Sequence, residues 1–115
     1  MHEVGLMQQA LDIALEQAGQ HGAQHIHRIT FRVGAESGVV PEVIEIAFAI
    51  ATQGTLAAGA QLAIDHVPLI CFCHICNQEF QPLDGDLLHT CPHCQRLGGE
   101  VRHGREFEIT SIELS

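Results

Sequence analysis

The chain contains neither tryptophan nor tyrosine, and its aromatic side chains are five phenylalanines. Aliphatic packing must therefore supply most of any core, since the aromatic residues that bury the largest areas are few. Cations are scarce as well: five Lys and Arg face 14 Asp and Glu, a formal charge of -9 over 115 residues. That balance argues against nucleic acid as a partner, because affinity for phosphate backbones comes largely from basic side chains. Long apolar runs are missing, and the opening Met1-His2-Glu3 has no basic region. Neither a signal peptide nor a membrane span is expected, and a cytoplasmic location follows. A Gly-rich phosphate loop is absent too, so any nucleotide hydrolysis would belong to a partner. There is no internal repeat and no low-complexity tract.

What the chain does have is two C-x-x-C pairs, Cys73 with Cys76 and Cys91 with Cys94. Each pair sets two thiolates on one small loop, and two such loops facing each other supply the four sulfurs that a tetrahedral zinc site accepts. Disulfides or a redox pair are the competing reading, disfavoured in a reducing compartment. A zinc-ribbon module is expected, with Glu79-Phe80-Gln81 and Leu87-Leu88-His89 as short strands turning at Asp84-Gly85. A four-thiolate site has no open position for substrate, and nothing else in the chain supports catalysis, so the protein is read as no enzyme. Cys71 could stand in for Cys73, but Cys73 and Cys76 already satisfy the knuckle, and Cys71 is read as a spare thiol buried near Leu69 and Phe72. His74 and His93, inside the knuckles, are expected to point outward. His21, His25, His27, His66, His89 and His103 lack ligand spacing, apart from His25 and His27, which share one strand face. The run Arg102-His103-Gly104-Arg105 reads as a solvated loop.

The cysteine-free part has the periodicities of a mixed helix and strand domain. Val4, Met7, Leu11, Ala14 and Ala18 recur at helical spacing almost from the first residue, and Gly19 and Gly22 offer stops. Ile29, Phe31 and Val33 alternate with Arg28, Thr30 and Arg32, the pattern of a half-buried strand. Pro41 suits the first turn of a second helix whose apolar face comprises Val43, Ile44, Ala47, Phe48, Ile50 and Ala51 up to Gly54. Leu62, Ile64 and His66 alternate with Ala63, Asp65 and Val67 as a second strand. In the last strand, from Glu106, Phe107 and Ile109 have opposite parity to Ile112 and Leu114, which calls for a change of face or a bulge. If this strand returns to the first domain, residues 1–67 plus 105–115 form an α/β domain and residues 68–104 an inserted zinc-ribbon domain.

The N-terminus offers a second metal site. The α-amine of Met1 and the amide nitrogen and Nδ1 of His2 can close successive chelate rings around one ion. Planar nitrogen ligation favours Ni(II) or Cu(II). The bland alternative is an exposed residue at a helix start, and Glu3 is equally ambiguous, since an acid in the first helical turn suits the dipole in any case.

Met1-His2-Glu3, the immediate amphipathic helix, Arg32-Val33-Gly34 ending a strand, the Gly54-Thr55 loop with Gly59, and C-x-C-x-x-C followed by C-P-x-C together resemble the HypA/HybF hydrogenase maturation proteins over essentially the full chain. The resemblance implies an α+β fold, two helices packed on a small three-stranded sheet, with an inserted zinc-ribbon module. It implies a nickel metallochaperone that binds Ni(II) at Met1, His2 and Glu3 and carries structural zinc at Cys73, Cys76, Cys91 and Cys94. The implied partners are a HypB-type GTPase and the large subunit of a [NiFe] hydrogenase, with no membrane partner and with a homodimer left open. Where some relatives place a further nickel carboxylate before the second helix, this chain has Ser37-Gly38-Val39-Val40, leaving Glu36 or Glu42 as substitutes. The alternative function is an acidic zinc-ribbon protein-interaction module without a second metal.

Overall fold

A computed structural model describes residues 2–115, except the side chain of His2. The chain runs α1 (His2–Gln20), β1 (Ile26–Gly34), α2 (Pro41–Ala51), β2 (Gln61–Val67), β3 (Ile70–Cys73), β4 (Gln78–Phe80), β5 (Glu100–His103) and β6 (Phe107–Leu114). The strands form two three-stranded sheets, ordered β2-β1-β6 and β4-β3-β5. The fold is α+β, two helices with a small sheet and a zinc-ribbon module between β2 and β6 in the chain. Two compact units result: one of residues up to Arg32, Val39–Asp65 and Phe107–Ser115, the other of Val33–Gly38 and His66–Glu106.

In the first unit, Met7, Leu11, Ala14 and Ala18 of α1 are all buried, while Val4 at the head of the expected stripe is exposed. In α2 the buried face is Ile44, Ala47 and Phe48. Ile50, expected on that face, is exposed together with Ile46. The helix begins at Pro41, whose missing amide is one of the unpaired N–H groups of a helix start. It ends at Thr52, whose buried hydroxyl donates to the Phe48 carbonyl over 2.8 Å. Phe31 of β1 is the aromatic hub of this unit, stacked on Phe107 at 5.4 Å between ring centres and meeting Phe48 edge-on at 6.4 Å. In β6, Phe107, Ile109 and Ile112 are the half-buried apolar residues, so the expected change of parity is present.

The second unit departs from the expected ribbon. Its central strand is β3, which pairs antiparallel with β4 through Cys71 and Phe80, Phe72 and Glu79, and Cys73 and Gln78. β5 pairs on the other side, with a register shift between Ile70 and Cys71. Leu87-Leu88-His89, expected as a strand, is a turn. The Asp86 carboxylate accepts from the amides of Leu88 and Thr90 at 3.0 Å each, and His89 has φ 51°. An Asp side chain that captures amides two and four residues on competes directly with a strand ladder. The expected turn at Asp84-Gly85 is present, with Gly85 at φ 82°.

The segments entering and leaving this unit are clamped backbone to backbone. Gly34 N–H donates to the Glu106 carbonyl at 2.7 Å, Ala35 to Val67 at 2.8 Å and Glu36 to Gly104 at 2.6 Å. A Cβ on Gly34 would fall on the Gly104 carbonyl, so only glycine fits this crossing.

Candidate metal centre

The two C-x-x-C turns fold alike. In the first, the residue after the second cysteine, Asn77, has φ 56°; in the second, Gln95 has φ 63°. The left-handed residue turns the chain sharply after the second sulfur. Gln95 N–H then returns to the Cys91 carbonyl at 2.9 Å, and Cys91 N–H donates to the Arg96 carbonyl at 2.9 Å. In the first turn, the Cys76 amide points at Cys73 Sγ, 3.5 Å away. Such N–H···S contacts stabilise thiolate over thiol.

The sulfurs of Cys73, Cys76, Cys91 and Cys94 all lie within 4.8 Å of one another. Cys73 and Cys94 are 3.7 Å apart and Cys76 and Cys91 are 3.9 Å apart. Four sulfurs held tetrahedrally at about 2.3 Å from one zinc ion stand about 3.8 Å from each other. The cluster therefore fits zinc in chemistry and in spacing. Backbone amides, that of Cys76 first, hold the Cys73 thiol down to about 7, whereas burial pushes Cys76 up to about 12. One thiolate is thus available near neutrality, and an incoming ion must displace the remaining protons, so metal affinity rises with pH. Among the described residues no other group of three or more His, Cys, Asp or Glu converges in this way.

Cys71 stands outside the cluster. It is fully buried beside Cys73, Phe80 and Cys91, with Leu69 packed against it, and burial pushes its thiol up. Phe72, expected as its neighbour, has its ring under the Arg102 guanidinium, 4.3 Å from the ring centre. His74 and His93 both point to solvent, and His74 Nε2 meets the Glu100 carboxylate at 3.1 Å. The basic side chains of the run are exposed to solvent as expected, but Arg102 and His103 end β5 and both arginines are paired. Arg102 Nε donates to Glu100 at 2.9 Å, and Arg105 donates to Glu36 at 3.0 and 3.2 Å.

Glu36 also receives His89 Nε2 at 2.8 Å, and that hydrogen bond holds its carboxyl below the usual range. A carboxylate with two committed cationic or imidazole neighbours inside its own unit is a poor spare ligand. Glu42 lies exposed in the first turn of α2. Of the N-terminal trio, Met1 and the His2 side chain lie outside the described residues. The backbone of His2 opens α1, and Glu3 is half-buried in its first turn.

The fold and the cluster define a class: a small α+β protein whose second unit is a ribbon built on four thiolates. A family model described as hydrogenase/urease nickel incorporation, metallochaperone, hypA, matches residues 1–114. The chain belongs to this HypA family of nickel metallochaperones, which act in hydrogenase maturation and are not enzymes. It is 42% identical over 114 residues to the hydrogenase maturation factor HypA of Picosynechococcus sp., with 99% of each chain covered. It is 38% identical over 114 residues to the hydrogenase maturation factor HybF of Salmonella typhimurium, again with 99% of each covered. Among solved structures, the Ni metallochaperone HypA from Helicobacter pylori superposes with a TM-score of 0.70 at 22% identity, over 97% of this chain and 96% of that one. A second solution structure of a HypA protein gives 0.74 at 23%, over 100% and 97%. At these identities the structural likeness speaks for the fold. Structural zinc and transported nickel are the metals that suit the family and the four-cysteine site.

Proposed function

We propose that this protein binds Ni(II) through Met1, His2 and Glu3 and delivers it during maturation of a [NiFe] hydrogenase, while Cys73, Cys76, Cys91 and Cys94 hold a structural zinc ion. The observation that carries the reading is the placement of His2 and Glu3 in the opening turn of α1, in a chain of a nickel metallochaperone family. The ion would sit on the free amine of Met1 with the amide nitrogen and imidazole of His2. Glu3 adds negative charge beside it. Binding displaces protons from amine and amide, so the ion is held less firmly as pH falls. A site built on one chain end has few ligands to rearrange, which suits handover. The receiving partners in this reading are a HypB-type GTPase and the hydrogenase large subunit.

The ribbon would serve partner contact. Leu83, Leu87 and Leu88 of its loop are 82%, 83% and 60% exposed. Contiguous exposed apolar surface marks protein contacts, and these three side chains stand close together in the chain.

A nickel titration of the zinc-loaded chain tests the reading, with metal content measured on native protein, on His2→Ala, and on a chain extended by one residue ahead of Met1. The native chain is expected to bind one nickel beyond its zinc at the terminus, and both variants are expected to lose that site with zinc unchanged. Wild-type nickel affinity in His2→Ala would refute the assignment.

A further inference from the structure

Two histidines that the zinc centre does not use lie side by side in the first unit. His25 immediately precedes β1, and His27 is the second residue of that strand. Residues two apart in extended backbone project to the same face. Their rings stand 4.6 Å apart centre to centre, edge to face at 66°. The backbone beneath them is fixed: Ser115 N–H donates to the His25 carbonyl at 3.0 Å, and His25 N–H donates back to Ser115 at 3.2 Å. Nε2 of His27 lies 2.6 Å from the Ser115 hydroxyl.

Two imidazoles on one ion, each bonded at about 2 Å, place their ring centres roughly 4.5–5 Å apart. His25 and His27 already have that separation, which puts both rings within reach of one ion with the His27 ring left where it is. In the tautomer in which Nε2–H of His27 donates to the Ser115 hydroxyl, Nδ1 carries the lone pair that an ion takes. Neutral imidazole is a ligand for nickel, copper and zinc. The strongly acidic balance of the chain favours approach of a cation.

We propose that His25 and His27 form a further metal site, a two-nitrogen surface chelate for a divalent ion of the nickel, copper and zinc class, with solvent in the remaining positions. Two protein ligands and an open shell make the ion quick to enter and quick to leave. This site is independent of the N-terminal chelate and of the four-cysteine cluster. It also has a practical consequence, since residual nickel on an N-terminally blocked chain would come from here.

The test is an NMR titration of zinc-loaded full chain, extended by one residue ahead of Met1, with Ni(II) as the probe. Paramagnetic broadening is expected first at the imidazoles of His25 and His27 and at the amides of Ser115 and its neighbours. It should appear at nickel concentrations at least about tenfold below those that affect the other exposed histidines His66, His93 and His103. Losing one of two ligands should weaken binding at least about tenfold, since even supporting residues around a metal are worth that much. His25→Gln and His27→Gln are thus each expected to remove the early broadening while zinc content and the remaining spectrum stay as they were. Broadening that begins at another histidine, that persists in His25→Gln, or that is absent up to millimolar nickel would overturn the proposal. The N-terminal reading fails separately, if native and extended chains bind equal nickel in the His25→Gln, His27→Gln background.

Discussion

The two units of this small protein are held together by different means. The first buries Met7, Leu11, Ile26, Ile29, Phe31 and Ile44 almost completely, side chains from both helices and the central strand. The second buries little that is apolar besides Val33 and Phe80, and three of its buried residues are Cys71, Cys73 and Cys91. A unit of that size cannot remove enough apolar surface from water to offset its chain entropy, and a metal staple supplies the difference. The contrast teaches that one short chain can contain a unit stabilised by the hydrophobic effect and another stabilised by coordination. The two should answer to different perturbations.

The largest effect should come from the metal. Chelation of zinc, or Cys91→Ala, is expected to abolish ordered structure in the second unit, because metal-binding free energy on the order of 10 kcal/mol is folding free energy in such modules. Amide dispersion in NMR spectra would show His66–Glu106 collapsing while Phe31 and its neighbours keep native shifts. Retention of a dispersed second unit without metal would break the comparison.

The converse is Phe31→Ala. It removes a fully buried ring from between Phe48 and Phe107 and should cost about 3–5 kcal/mol in urea unfolding of the first unit. One bound zinc should remain.

Gly34→Ala comes next in size. Its methyl group would meet the Gly104 carbonyl and the Arg105 amide, and the strain should cost about 1–3 kcal/mol. The loss should appear as faster amide exchange at Ala35 and Glu36, with Phe31 packing preserved.

The smallest change concerns Glu36. Its carboxyl is held below the ordinary value of 4.5, first by the His89 hydrogen bond. A folded-state pKa below the unfolded one means that its contribution is complete above about pH 4.5 and fades as pH falls through the depressed value. Glu36→Gln should lower stability by less than about 1 kcal/mol at pH 7, as expected for a partly exposed ion pair. The difference between wild type and Glu36→Gln should vanish toward pH 3. Equal stability of the two at pH 7 would show that the contact with His89 and Arg105 contributes nothing.

Much of this was legible in the residues themselves. The C-x-x-C pairs are local chemistry, and each lies on its own turn, with Asn77 and Gln95 left-handed after the second cysteine. Met7, Leu11, Ala14 and Ala18 repeat at the helical period, and Ile29, Phe31 and Val33 at the strand period, because one face of each element must be buried. The failures have an equally physical cause. Ile50 fits the apolar side of α2 by spacing, yet the structure leaves it in solvent. Leu87-Leu88-His89 has the composition of a strand, but the Asp86 carboxylate captures the amides of Leu88 and Thr90 first.

By itself, then, the amino-acid order determined the two helices and the strands of the first unit, where four thiolates could meet, and which family the opening residues and cysteine motifs resemble. Only the tertiary structure decided that Ile70–Cys73 is the middle strand of the ribbon. It alone decided that Glu36 is held by His89 and Arg105, 53 and 69 residues away, and that Gly34 and Gly104 must touch. Periodicity and motif spacing are properties of neighbours in the chain. Hydrogen bonds and close approaches between distant residues depend on how the elements pack, and no local pattern encodes them.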